Sequence, residues 1–255
     1  MGTWETFDID SNVQELRLLK EVLLMLKEKG GKVIDSSPMY GLSEQNVGSL
    51  TTELTMNDQF FLATKVWTQG KEKGIEQMNH SLSVMKRSQL DLMQIHNLVD
   101  WKTHIKTLRD WKEQGKIRYI GITHYQESAY AELENILNSE PIDFLQVNYN
   151  LANRKAAARL LPLAHEKKVA VIISQPFAYG KLFQQSKGKT LPAWAADVDC
   201  RSWAQFFLKF IVAHPAVTCV IPGTGNPDHM LDNLAAGFGR LPDERQQALM
   251  IKEIA

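Results

Sequence analysis

Seven short apolar runs punctuate the chain, at Lys32–Asp35, Phe60–Lys65, Leu90–His96, Ile117–Thr123, Ile142–Asn148, Val169–Ser174 and Thr218–Pro222. Their starts lie 28, 30, 27, 25, 27 and 49 residues apart. Each is apolar almost throughout, as strands buried on both faces are. The segments between them follow a different period. Val13–Lys29 sets Leu16, Leu19, Val22, Leu23 and Leu26 on one helical stripe and halts at Gly30-Gly31. Ile75–Lys86, Trp101–Gln114, Glu127–Asn138, Lys155–Lys167 and Trp203–Ala213 read the same way. Strand and helix alternating at this pitch predict right-handed βαβ units and a parallel sheet. A strand remnant at Gly2–Trp4 brings the strands to eight, so the expected fold is an α/β (β/α)8 TIM barrel, one domain over residues 1–255. The long gap before the last strand holds Gln184–Cys200, with Gly188, Pro192 and Trp194, expected as a rim loop over the site.

Composition narrows the function classes. With 44% apolar residues in 255, the chain can bury a large core, and 29 basic against 29 acidic side chains leave no footprint for nucleic acid. Cys200 and Cys219 lack partners at zinc spacing, so no metal centre or disulfide framework is expected, and a reducing, cytoplasmic setting fits. No apolar stretch approaches the roughly 20 residues that cross a bilayer, so no membrane partner is expected. The chain opens abruptly on Met1-Gly2-Thr3-Trp4; a start further upstream, and with it export, stays open. A monomer or weak homo-oligomer is the expected state.

The chemistry collects where strands end. Asp35, Lys65 and His96 close three successive runs, and Tyr40 follows Asp35 in a turn with Pro38 and Gly41. In a parallel barrel the carboxyl ends of the strands converge on one rim, where such folds keep their reactive groups. An acid, a phenol, an ammonium and an imidazole meeting there make a proton-donor system. Lys65 follows Phe61-Leu62-Ala63-Thr64 and precedes Val66-Trp67, so burial is expected. A buried ammonium needs a carboxylate, and Asp35 is at hand. Beside that charge the phenol of Tyr40 is expected to titrate below its ordinary value of about 10. A plain structural ion pair, an amphipathic loop tyrosine and a core histidine are the bland counterparts. At the far end, Val220-Ile221-Pro222-Gly223-Thr224-Gly225-Asn226-Pro227 runs from strand through a glycine-rich loop into a helix, an anion cradle. It matches neither a Rossmann nor a Walker sequence.

Asp35 and Tyr40 in an Asp-x4-Tyr-Gly element, Lys65 in Ala63-Thr64-Lys65 and His96 at a strand end together resemble the aldo/keto reductases, over essentially the whole chain. That resemblance implies carbonyl reduction by a bound nicotinamide cofactor, with a small-molecule aldehyde or ketone as substrate. It implies Tyr40 as proton donor, Lys65 lowering its pKa, Asp35 holding Lys65 and His96 orienting the carbonyl. It further implies cofactor contacts at Gly2, Thr3, Trp4, Thr123, His124, Gln146, Ser174, Pro176, Gly223, Thr224, His229 and Asn233. His124 departs from the family's Asn, and Ser174 from its stacking Tyr. At Gly223 and His229 the family carries Lys and Arg, so NADP is the expected cofactor and NAD a possible one. An N-terminal hairpin and most of strand one are expected to be missing, leaving a barrel seam. Two other functions fit the residues: a non-catalytic, cofactor-sensing subunit, and a barrel aldolase or isomerase using Lys65 as a Schiff base. Loops bearing Trp67, Trp101 and Trp194 would line an apolar pocket or simply pack.

Overall fold

The computed structural model describes residues 1–254. The first helix, α1 (Val13–Glu28), starts where the Asn12 side chain accepts from the amides of Gln14 and Glu15. It buries Leu19, Val22, Leu23 and Leu26, each side chain stabilising by about 1.5–3 kcal/mol. Gly30, at φ 83°, turns the chain out of it. There follow β1 (Val33–Asp35), α2 (Ser43–Glu53), β2 (Phe61–Val66), α3 (Lys71–Val84), β3 (Leu90–His96), α4 (Trp101–Glu113), β4 (Ile117–His124) and α5 (Tyr130–Ser139). The chain ends with β5 (Phe144–Asn148), α6 (Leu160–Glu166), β6 (Ala170–Ser174), α7 (Lys181–Ser186), α8 (Trp203–Val212), β7 (Cys219–Val220), α9 (Pro227–Ala235) and α10 (Glu244–Ile254).

All seven strands pair in parallel with their sequence neighbours, in the order β1 to β7. The eighth position is held by the Met1–Thr3 segment, in which Gly2 bridges both Asp35 and Gly223. Backbone bonds tie it to both sides, Thr3 N–H to Asp35 O at 3.1 Å and Gly2 N–H to Pro222 O at 3.3 Å. The expected seam is therefore bridged by a stub rather than left open. Among the described residues, no helix is long and apolar enough to cross a membrane.

Strand side chains alternate between two faces, and that alternation positions the site. Residues 61, 63 and 65 share the inner face of β2 with 92, 94 and 96 of β3, 119, 121 and 123 of β4, and 144 and 146 of β5. Polarity changes along this face. At the amino ends Phe61, Tyr119 and Phe144 pack ring on ring, with centroids 5.4–6.0 Å apart. Ala63, Leu92, Ile172 and Ile221 form a small apolar cluster in mid-barrel. Lys65, Gln94, His96, Thr123 and Gln146 occupy the carboxyl ends. The opposite face of each strand feeds the larger core between sheet and helices.

Most elements fall where the apolar pattern predicts them. Helices α2, α7 and α10 fall outside those predictions; α2 has a buried face of Ser43, Glu44, Gly48 and Thr51 as well as Val47 and Leu50. Glu44 there accepts from Thr64 Oγ1 at 2.5 Å and Ser81 Oγ at 3.1 Å. Gly48 lets α2 approach α3, since a Cβ would stand 2.1 Å from Val84 O. The stretch Gln184–Cys200 is no open loop: it enters α7 and then a 3-10 turn at Ala193–Val198, with Trp194 against Phe206.

Candidate active site

At the carboxyl rim, Asp35, Lys65 and His96 lie at the ends of adjacent strands, and Tyr40 drops in from the turn that follows β1. Lys65 is 1% exposed and Asp35 is 3% exposed, so the pair is withdrawn from water. The ammonium of Lys65 donates to Asp35 Oδ2 at 2.7 Å and to Ser36 O at 2.5 Å. Its Nζ stands 5.1 Å from the centroid of the Tyr40 ring. The Tyr40 ring meets the His96 ring edge-on, at 6.0 Å between centroids. Ser37 Oγ lies 3.0 Å from His96 Nδ1. The Met39 amide donates to that hydroxyl at 3.4 Å, and the hydroxyl proton can point to Nδ1. With Ser37 as the donor, the ring carries its hydrogen on Nε2, the nitrogen left for the cavity.

Electrostatics follow from burial. Burial pulls the Lys65 pKa down, but the Asp35 carboxylate, then Tyr40, more than offset it, and the net shift is upward. A lysine kept protonated in this way is a poor Schiff-base nucleophile. Burial likewise pushes the Tyr40 phenol up, with Lys65 opposing, and the net is a rise. The expected fall is therefore corrected: the sequence displays the neighbouring charge, whereas desolvation is the larger effect. His96 is held down to about 3 by burial, then by the charges of Lys65 and His124, so it is a neutral imidazole at ordinary pH.

A cavity of about 460 Å³ opens beside these groups. Of the predicted cofactor residues, Gly2, Thr3, Trp4, Thr123, Gln146, Ser174, Pro176 and Gly223 line it. Thr123 and Gln146 are 6% and 2% exposed, yet neither side chain bonds to another described residue. Hydroxyl and amide groups that face the cavity suit a planar carboxamide. The remaining four lie outside the cavity. His124 stacks on Tyr125 and takes the Gln126 amide, while Thr224 is engaged with Asn226. His229 is exposed on α9, and Asn233 is largely covered there. No residue of Gln184–Cys200 reaches the cavity; Gln175, Pro176, Phe177, Tyr179 and Gly180 line it instead. Trp67 leans toward His96, at 6.5 Å between rings, whereas Trp101 bonds Glu132 and packs among the helices.

Three contributors escaped the sequence reading. Ser36 and Ser37 follow Asp35 in the turn before Tyr40, but their bonds depend on how that turn folds. Gln94 was visible as the polar residue inside an apolar run, two before His96 and therefore on the same face. It donates to Asp35 Oδ1 at 2.9 Å. At the mouth, Trp4 and Tyr179 meet edge-on at 5.6 Å.

A family profile described as "Aldo/keto reductase family" matches residues 1–254. The aldo-keto reductase YhdN of Bacillus subtilis is 25% identical over 197 residues, covering 71% of this chain and 57% of that protein. The uncharacterized oxidoreductase C215.11c of Schizosaccharomyces pombe is 31% identical over 159 residues, covering 61% and 50%. The matches thus span 57% and 50% of the length of these relatives. Among solved structures, an aldo/keto reductase from Klebsiella pneumoniae in complex with NADP and acetate superposes with a TM-score of 0.83 at 22% identity, over 100% of this chain and 90% of that one. A glycerol dehydrogenase from Gluconobacter oxydans gives 0.81 at 18%, over 100% and 90%.

Proposed function

We propose that this chain, which belongs to the aldo/keto reductase family, reduces aldehyde or ketone carbonyls with bound NADP(H), Tyr40 giving the proton. The observation that carries this reading is the buried Asp35–Lys65 pair beside the Tyr40 phenol in a cavity of about 460 Å³. The Klebsiella pneumoniae relative in complex with NADP lends the cofactor. When bound, the cofactor supplies a hydride to the carbonyl carbon.

The residues divide the remaining work. Thr123 and Gln146 offer the unpartnered polar groups that would hold the nicotinamide carboxamide. His96, neutral and bearing its hydrogen on Nε2, donates to the carbonyl oxygen and orients it. Tyr40 keeps its proton at neutral pH because its pKa is raised, and surrenders it to the strongly basic alkoxide. The Lys65 charge then stabilises the phenolate left behind, and Asp35 keeps that charge in place. Between Gly223 and Asn233 there is no Arg or Lys, so a 2′-phosphate would rest on His229, and NAD is a usable second cofactor. A cytoplasmic, monomeric or weakly self-associating enzyme belongs to the same reading.

Fluorescence titration with NADPH and NADH, followed by turnover of p-nitrobenzaldehyde, tests it. Binding with turnover is the expected result. Binding with no turnover of any aldehyde or ketone would turn the assignment to a cofactor-sensing subunit. No binding at all would overturn it.

A further inference from the structure

We infer that Gln94 is a positioning residue for the proton-donor system, acting through Asp35; this rests on the reductase reading above. The two oxygens of Asp35 are divided between two buried donors. Oδ2 takes the Lys65 ammonium at 2.7 Å, and Oδ1 takes the Gln94 amide at 2.9 Å. Gln94 pairs in register with Lys65 on one side and Gly121 on the other, so its side chain points into the same barrel interior. It is fully buried but does not line the cavity. It therefore cannot touch a carbonyl compound there, and whatever it does for the reaction passes through the carboxylate.

Packing alone does not account for an amide at this position. The Gln94 Oε1 atom is buried with no partner, a penalty that a leucine of similar shape would avoid. What only the amide provides is its N–H bond to Asp35. The neighbouring strand makes room for it: a Cβ on Gly121 would lie 2.8 Å from Gln94 Cγ, and Gly121 has an ordinary negative φ. The glycine is thus needed for space rather than for backbone freedom. With Oδ1 pinned, the carboxylate stays turned toward Lys65. That ammonium in turn keeps its charge beside the Tyr40 phenol.

The experiment uses the full chain as Gln94→Leu and Gln94→Glu, each checked for a native melting profile. For Gln94→Leu, kcat should fall about tenfold or more with KM little changed, as loss of a bond to a charged group implies. The alkaline limb of its kcat profile should move to lower pH, because a buried ammonium with a weakened counter-ion loses its proton sooner. In Gln94→Glu the introduced carboxyl donates to Asp35 only while protonated, and adjacent carboxyls raise one pKa. That variant should work in acidic buffer and lose activity as pH rises, well below the pH of the native alkaline limb. A merely structural glutamine would produce neither limb. If Gln94→Leu does not fold, Gln94→Glu decides.

Gly121→Ala, which displaces the glutamine without removing it, should add little to Gln94→Leu in a double-mutant cycle. Carbon-13 tyrosine NMR without cofactor provides a readout independent of turnover: the Tyr40 phenol should titrate higher in Gln94→Leu than in the native chain. A shifted phenol in a chain that reduces nothing would sink the reductase reading and leave this inference standing. Native profiles in both folded variants, with an unmoved phenol, overturn the inference alone.

Discussion

His96 gives the account a prediction that needs no substrate. Its imidazole is 7% exposed and its pKa is held at about 3, against 6.5 in an unfolded chain. Between those values the unfolded chain binds a proton that the folded chain refuses. Folding stability must therefore fall as pH drops through 6.5, with a limiting slope of about 1.4 kcal/mol per pH unit. Integrating from pH 7 to pH 5 gives a loss of about 2 kcal/mol from this one group. The perturbation is His96→Asn, which keeps a side chain able to reach Ser37 but removes the titration. Urea melts of both proteins at pH 7 and pH 5 supply the assay, because groups common to both cancel in the difference. The native protein should lose about 2 kcal/mol more than the variant over that interval. Equal losses would mean that His96 is protonated in the folded state, and its part as a neutral donor to the carbonyl would fail with it.

Lys65→Met removes the 2.7 Å and 2.5 Å bonds and strands a buried Asp35 carboxylate, so chemical denaturation should show a loss of about 3–5 kcal/mol. Adding Asp35→Asn to that variant should recover part of the loss, and unchanged stability in Lys65→Met would refute the buried pair. Ser37→Ala takes away the hydroxyl at 3.0 Å from His96 Nδ1 and so the device that fixes the tautomer. Steady-state kinetics should show kcat down by about tenfold, as for loss of one well-placed hydrogen bond, with the melting temperature nearly unchanged. A native kcat would show that the tautomer is set elsewhere.

How much of this was legible beforehand depends on what each residue needs. The strand Leu90–His96 coincides with its apolar run, and the seven runs were enough for a parallel barrel, because both are properties of local pattern. The inner-face alternation that sets Lys65, Gln94 and Gly121 side by side also lies in the sequence, but only once strand register is known. Helix α2 stayed hidden because it buries serine, glutamate, glycine and threonine, which no hydrophobic stripe reveals. The direction of the Tyr40 shift departs from expectation because a nearby lysine can be read from sequence and the depth of burial cannot. Of the twelve cofactor positions that the resemblance implies, eight line the cavity, and His124, Thr224, His229 and Asn233 lie outside it.

The central claim is that the Tyr40 hydroxyl donates the proton, and Tyr40→Phe tests it most directly, since it deletes one oxygen and keeps the ring against His96. Turnover of p-nitrobenzaldehyde with NADPH should fall by about 100-fold or more, the usual share of a positioned general acid, while the fluorescence-measured affinity for NADPH stays near native. A variant that reduces the aldehyde at the native rate would contradict the account.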